Sequence, residues 1–472
     1  MTLTAALGNA LTGLVANARM TDVIAGNLAN MLTHGYAPRE VVLQARLDSG
    51  VRVIGITRNL DPVLLADRRL ADGAMAGADA SAAFAAALER IIPGATMPGS
   101  LSDRLSSFEA TLVAASARPE DELRLAAVLT EARGLASALN TASARIDTLR
   151  QQADAGIARA VADLNSGLER VGQINARIIA ARSTGQETAT LEDLRQQEVD
   201  ALAALVPLRQ LERANGSVAL VTTGGALLLD GRAVTVAFDA TRLVTADMSL
   251  EGGQLSGLSI DGHAIPVSGG GPLGGGRLGA LFDNRDRLGP EAQRALDALA
   301  RDLIERVETL TPPPVPALFT DAGARLDPLS GTGLAGRVTL NPVVDPGRGG
   351  AFFRFRTGPD AATPSAPAHA PYLAALAEAL NAPRALDASA PARSLAGGLA
   401  DLESRVAQTR LAAERAVGFA AGQVNELRAL EMQGGVDSDA ELQRLLLVEQ
   451  AFAANARMIQ TIDDMMQTLL RI

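Results

Sequence analysis

From Pro119 to Arg182 the sequence holds no further proline, and its apolar residues recur at a step close to 3.5. Leu135, Leu139, Ala142, Ile146, Leu149, Ala153, Ile157, Leu164, Leu168, Val171 and Ile178 keep that step. Such spacing lays one apolar stripe along a helix. Unbroken, the helix would run about 95 Å at roughly 1.5 Å per residue. Gly134, Gly156, Gly167 and Gly172 lie inside it and each weakens a helix relative to alanine. A rod of this length points to an elongated bundle or coiled coil rather than a globular core. A partner helix is expected over 189–205.

The rest of the chain divides around that rod. Residues 1–33 read as an amphipathic helix, with Leu3, Leu7, Leu11 and Leu14 on one stripe and Ile24, Leu28 and Met31 continuing it. Gly35 reads as its stop, and the Val and Ile runs of 40–60 as extended chain. Helices are expected over 62–92 and 101–117, parted by the breakers Pro93-Gly94 and Pro98-Gly99. Near Val206 the pattern turns to short strands (Ser217–Val221, Ala226–Leu229, Ala233–Phe238, Leu258–Ile260). They are separated by Asn215-Gly216, Gly224-Gly225, Asp230-Gly231 and Asp261-Gly262. Gly269–Gly279 reads as a glycine-rich link, and helix returns over 288–310 until Pro312-Pro313-Pro314. Residues 312–370 are rich in Pro and Gly, with strands expected at Arg337–Leu340 and Phe352–Phe355 and a short helix at 371–381. Helix covers 394–432 and breaks at Gly434-Gly435. The last helix opens with Ser438-x-x-Glu441, a capping-box pattern, and carries Leu442, Leu445, Phe452, Ala456, Ile459, Met466 and Leu470 at heptad spacing.

The expected fold is mainly α with a small β region. It is elongated, with the N- and C-terminal heptad helices paired as a coiled coil, a helical-bundle domain and a β-rich outer part. Residues 1–60 and 436–472 form the terminal assembly domain. Residues 61–205, 278–311 and 391–435 form the helical rod, 206–277 the small β domain, and 312–390 a variable Pro/Gly-rich region. Ordering a residue's backbone costs roughly 1–2 kcal/mol, and a buried Leu contributes about 1.5–3 kcal/mol. One apolar stripe per helix does not offset that, so the terminal helices must pair with each other or with other subunits.

Composition removes several chemistries. There is no Cys, hence no disulfide, thiolate nucleophile or Cys-based metal centre. All basic residues are Arg, which removes a Walker-A lysine and Schiff-base catalysis. His34, His263 and His369 are isolated, which disfavours a histidine metal site. A net charge of −10 and 3% aromatics argue against coating nucleic acid. No uncharged stretch of about 18 apolar residues occurs, so no membrane span is expected, and the first residues do not read as a cleaved secretory signal. Gly269-Gly270-Gly271-Pro272-Leu273-Gly274 satisfies G-x-G-x-x-G, as does Gly274–Gly279, but a dinucleotide site also needs a βαβ unit around it. Thr311–Pro316 reads as a linker or a polyproline ligand segment.

The two ends carry more specific patterns. Asn27-Leu28-Ala29-Asn30 followed by Thr33-His34-Gly35-Tyr36 resembles the N-terminal signature of the bacterial flagellar rod, hook and hook-associated proteins, an Asn-(Ile/Leu)-Ala-Asn run before Thr-x-Gly-(Tyr/Phe). Glu449-Gln450-Ala451-Phe452 through Asn455-Ala456-Arg457-Met458-Ile459-Gln460-Thr461 is similar to that family's C-terminal helix. Arg39 after Tyr36, the segment Leu191–Gln197, and Gly275–Leu281 running to Arg285-Asp286 resemble the hook-associated members at the hook–filament junction. The likeness covers 1–60, 100–310 and 395–472 and fails over 312–390. Gly26 replaces a usual Asn, and Ala37-Pro38 also departs from the pattern.

The resemblance implies a structural, non-enzymatic role without cofactor or metal. Subunits would leave the cell unfolded through the flagellar type III route, without a cleaved signal, and form a ring on the extracellular flagellum. Implied partners are further copies of the chain, hook protein, the next hook-associated protein and an export chaperone, with no nucleic acid and no membrane span. Assembly residues would be Leu7, Leu11, Leu14, Asn27, Asn30, Thr33, Gly35, Tyr36, Gln450, Phe452, Asn455, Ile459, Met466 and Leu470, and both ends would be mobile in the isolated subunit. The alternatives are a hook or rod subunit, a nucleotide-binding enzyme using the Gly269–Gly279 loop, and a cytosolic coiled-coil scaffold.

Overall fold

The computed structural model describes residues 3–33, 35–46, 50–267, 270–385 and 391–471. His34 and Gly269 therefore lie outside the described residues. Helix α1 (Leu3–Asn30) leads through a turn into the antiparallel hairpin of β1 (Arg39–Ala45) and β2 (Val51–Arg58). Helix α2 (Pro62–Ile91) starts where Asp61 accepts from the Val63 and Leu64 amides and Pro62 takes the first helical position. Ser100 caps α3 (Leu101–Ser116) and Asp121 caps α4 (Glu122–Ser183).

The rod is thus a single helix of 62 residues. Its glycines do not break it, and two of them admit a neighbour: a Cβ on Gly156 would lie 3.1 Å from a Leu281 methyl, and one on Gly167 would lie 2.6 Å from a Leu202 methyl. The packing gained there outweighs the propensity lost. Helix α5 (Ala189–Leu205) folds back antiparallel along the end of α4, tied by Arg182–Glu192 at 3.1 Å and Arg170–Glu198 at 2.9 Å.

The β region holds two small antiparallel sheets. One runs in order through β3 (Leu208–Glu212), β4 (Val218–Thr222), β5 (Leu227–Asp230) and β6 (Arg232–Ala233). The other joins β7 (Val236–Ala237), β8 (Leu258–Ile260) and β9 (His263–Ile265). Asp261 and Gly262, at φ 47° and 82°, make the tight turn that places His263 in a hairpin strand.

Helix resumes earlier than the expected 288. Helix α6 (Gly276–Asp283) passes through a π turn at Asn284–Leu288 into α7 (Gly289–Glu308). The Gly-rich composition had masked this first helical segment. Beyond it, β10 (Phe319–Asp321) pairs with β11 (Val338–Leu340). Phe352–Phe355, expected as a strand, belongs instead to a short helix, α8 (Phe352–Thr357). Phe352 and Phe355 stand three apart and pack toward the same core, a helical spacing that overrides aromatic β-propensity. The last helices are α9 (Pro371–Asn381), α10 (Leu395–Gln433) and α11 (Ser438–Leu470).

Two apolar cores lie along α4. The first joins Leu125–Ile146 of α4 with α3, α7, α9 and the start of α10. Phe319, Leu334, Val344 and Phe355 are buried in it, so the Pro/Gly-rich region of 312–390 contributes to the main core. Its prolines and glycines let an irregular chain follow a curved surface without demanding a regular ladder. The second core joins Ile157–Val171 of α4 with α5, α6 and the strands from β3 to β8.

Between them sits a buried polar layer. Arg150 donates to the carbonyls of Arg285 (3.0 Å), Thr245 (2.9 Å) and Met248 (2.6 Å). Arg285 meets Asp154 at 2.7 Å, with both side chains 0% exposed, and its guanidinium lies 4.9 Å from the Phe282 ring centre. Two antiparallel helix pairs complete the molecule. One is α2 with α10, bridged by Arg68–Glu431 (2.9 Å), Asp72–Arg428 (3.0 Å) and Glu89–Arg410 (2.7 Å). The other is α1 with α11. Among the described residues no helix is long and apolar enough to cross a membrane.

Candidate assembly site at the joined chain ends

Helices α1 and α11 run antiparallel. Asn27 meets Glu441, and fourteen residues earlier Gly13 meets Asn455, fourteen residues further along α11. A Cβ on Gly13 would lie only 2.7 Å from Asn455 Nδ2, so glycine there lets the two backbones approach. The seam buries Ala10, Ala16, Val23 and Ile24 on one helix and Val448 and Ile462 on the other.

The inner end of the pair is a polar clasp centred on Asn27, which is 1% exposed. Its Oδ1 accepts from the Tyr36 hydroxyl (2.8 Å) and the Arg39 amide (3.0 Å). Its Nδ2 donates to the Arg39 carbonyl (2.9 Å) and to Glu441 Oε1 (3.2 Å). All four hydrogen-bonding positions of one carboxamide are used, and they tie together α1, the start of β1 and α11. Arg39 extends the clasp to α5, where Nη2 donates to Asp193 (2.6 Å) and Thr190 (3.3 Å) while the guanidinium lies 5.0 Å from the Tyr36 ring centre. Arg58 reaches the other Asp193 oxygen at 2.8 Å. Burial raises the Tyr36 hydroxyl above its ordinary pKa despite Arg39 nearby, which keeps it a proton donor. Gly35 turns the chain at φ 78°, and a Cβ there would lie 3.1 Å from Gln197.

The sequence-expected residues fall into three places. Asn27 and Tyr36 meet in the clasp, with Gly35 beside them, while Asn30 bonds back to the Gly26 carbonyl (2.9 Å) and accepts from the exposed Thr33 (3.2 Å). Leu7, Leu14, Asn455 and Ile459 are half-buried along the seam. Leu11, Gln450, Phe452, Met466 and Leu470 are exposed. The expected stripe of α11 was half in register: Leu445 and Ile459 turn toward α1, but Leu442 and Leu470 face solvent, and the other row is Glu441, Val448, Asn455 and Ile462. Two members of that row are polar because they stand opposite Asn27 and Gly13, so an apolar heptad search passes over them.

Glu441 was expected to close a capping box. Asp437 is the cap instead, accepting from Asp439 and Ala440, which frees the Glu441 carboxylate for Asn27. Asp193 lies inside the Leu191–Gln197 segment, and nothing along the chain signals its place between Arg39 and Arg58. The outer face of the pair keeps Leu11, Val15, Leu446, Leu447, Met458, Met465 and Leu469 exposed.

The glycine loop serves packing. Gly276 opens α6 at φ 59°, and a Cβ there would lie 2.5 Å from the Leu205 carbonyl, while one on Gly77 of α2 would lie 2.9 Å from the Gly276 carbonyl. Every paired strand among the described residues is antiparallel, so the loop has no βαβ setting.

Comparison with known proteins agrees with the architecture. Residues 86–311 match the flagellar hook-associated protein FlgK helical domain, and 430–472 match the flagellar basal body rod FlgEFG protein C-terminal family. The "Flagellar hook-associated protein 1" of Salmonella typhimurium and that of Salmonella typhi are each 24% identical over 311 residues, covering 62% of this chain and 54% of theirs. The chain thus spans about half the length of the curated relatives it matches. The flagellar hook junction protein FlgK from Burkholderia pseudomallei aligns with a TM-score of 0.46 at 20% identity, over 55% of this chain and 47% of that one. The chain is thus similar to the flagellar hook-associated protein FlgK across its helical domain and to the flagellar basal body rod proteins at its C-terminal helix.

Proposed function

We propose that the protein is a structural, non-catalytic subunit of the bacterial flagellum that assembles at the junction between hook and filament. The observation that carries this reading is the α1–α11 pair, closed on its inner seam by the clasp yet leaving an apolar outer face. A contiguous apolar surface of more than a few hundred Å² is typically a contact surface, and the same pair in another copy offers matching cover. The names of the Salmonella relatives support the location. In this reading residues 1–60 with 436–472 form the assembly unit, centred on the clasp and on Leu7, Leu11, Leu14, Phe452, Ile459, Met466 and Leu470. Residues 61–205, 278–311 and 391–435 form the rod that carries the β region of 206–277. Copies of the chain pack through α1 and α11, with hook protein on one side and the next hook-associated protein on the other. Delivery is through the flagellar type III route, with an export chaperone and no cleaved signal, to the cell exterior.

Electron microscopy of a deletion strain tests this. Hooks without filaments, with filament subunits in the medium, are expected. Absence of hooks would favour a hook or rod subunit, the reading suggested by the rod-protein match over 430–472. Normal filaments would overturn both. A finer test is Leu447→Arg. Leu447 is 65% exposed, so the monomer should unfold within about 0.5 kcal/mol of wild type, while filaments should not be restored.

A further inference from the structure

Where the β1–β2 hairpin, α2, the α4–α5 pair and the β3–β4 turn converge, an open cavity of about 380 Å³ is lined by Arg58, Arg69, Arg182, Arg195 and Arg213. Only two carboxylates line the same space, Glu192 and Glu212. This is an excess of positive charge in a chain whose net charge is −10. Asp193, Asp200 and Asp230 pair with Arg58, Arg69 and Arg213 without lining the cavity themselves.

The arginines are not fully satisfied by the protein. Arg69, 4% exposed, donates Nε to Asp200 (2.6 Å) and Nη1 to Gln210 (3.0 Å), but its buried Nη2 has no acceptor. The buried Nε of Arg58 likewise has none. Arg195, 7% exposed, spends Nη1 on the Gly216 carbonyl (2.7 Å) and Asn175 (3.2 Å). Glu192 is already engaged by Thr188 (2.8 Å) and Arg182 (3.1 Å). Burial pulls the Arg195 guanidinium below its ordinary value, and the neighbouring Arg58 and Arg182 add to that against Glu192. Five guanidinium groups thus face a space with two carboxylates on its lining, two of their buried nitrogens lack an acceptor, and water is a poor substitute for an anion at a buried guanidinium.

We infer that this cavity binds a small multivalent oxyanion of the phosphate class. Guanidinium forks match the paired oxygens of such a group, each arginine offering several donors in a fixed plane. The volume admits one phosphate or pyrophosphate with ordered water, and the lining comes from four parts of the fold. Arg58 also binds Asp193, which holds Arg39 of the clasp. An anion here therefore braces the hairpin, and through it the terminal helices, against the rod.

The test uses the full chain and two probes, inorganic phosphate and pyrophosphate, titrated calorimetrically at constant ionic strength set with chloride. One saturable site is expected, with slower amide exchange over 39–58 when it is occupied. Arg182 and Arg213 are half exposed, so the double variant R182Q/R213Q should fold normally, as checked by its circular dichroism and thermal midpoint. It should bind at least about tenfold more weakly. R170Q, which removes an arginine paired with Glu198 outside the cavity, should bind as wild type does. No saturable binding of either probe, equal binding by a folded double variant, or binding that follows ionic strength rather than anion identity would each overturn the inference.

Discussion

Asn27→Ala is the sharpest perturbation of the clasp. The substitution deletes four hydrogen bonds at 2.8–3.2 Å from a side chain 1% exposed. Each is worth about 0.5–1.5 kcal/mol net, and a buried partner left without its bond costs about 1–3 kcal/mol. Glu441 Oε1 loses the Asn27 amide and keeps only Arg444 at 3.3 Å, while the Tyr36 hydroxyl and the Arg39 amide lose the acceptor they share. A total of about 3–5 kcal/mol follows. The seam of the pair buries Val23, Ile24, Val448 and Ile462, each worth roughly 1.5–3 kcal/mol. The loss therefore equals about two of those side chains and should open α1 and α11 without unfolding the two cores. Hydrogen exchange is the assay. Amides over 3–30 and 438–470 should exchange about a hundredfold to several thousandfold faster, with those of α4 and α7 unchanged. Unchanged exchange in the terminal helices, or equal acceleration in α4, would refute the reasoning. Asn27→Asp is the companion variant. It keeps the two accepted bonds, loses both donations and sets a second carboxylate against Glu441. It should open the pair at neutral pH and recover in acid, as protonation removes the repulsion.

Three other expectations concern the body of the molecule. Arg285→Leu leaves Asp154 buried without its cation and should cost about 3–5 kcal/mol, measured by urea unfolding. Asp147 is raised by burial from 3.8 to about 6, with Asp297 and Asp247 adding to this against Arg150. Its folded value exceeds its unfolded one, so the native state holds the extra proton and stability falls as pH rises from about 4 through 6. Asp147→Asn should flatten that slope and raise the pH 7 thermal midpoint. Gly276→Ala should destabilise by about 1–3 kcal/mol because of its positive φ and the Leu205 carbonyl, whereas Gly270→Ala, with open space around it, should be near neutral in thermal unfolding. A glycine loop that cradled a nucleotide would instead show its effect in binding.

The helices were legible along the chain wherever one period persisted. The α4 rod, its return helix α5 and the breaks at Pro93 and Gly434-Gly435 all follow from spacing and breaker residues. The errors arose where composition and period disagreed. Gly276–Gly279 reads as the end of a glycine-rich link because glycine lowers helix propensity, yet Gly276 opens a helix and lies in close backbone contact with α2 and α5. Phe352–Phe355 looked like a strand because of its aromatics, yet its core-facing residues sit three apart.

The ends of the chain separate the two kinds of information most clearly. Heptad spacing was enough to establish that each terminal helix has an apolar stripe needing a partner, because that property is written in the order of residues within one segment. Which residues of α11 face α1 depended on matching across more than four hundred positions, Asn27 with Glu441 and Gly13 with Asn455. A polar residue is tolerated in such a seam when the residue opposite satisfies it, and only the folded chain shows what stands opposite. The same reason hid the Arg150–Asp154–Arg285 layer and the arginine cavity. Their members come from distant segments and look, one at a time, like ordinary surface charges.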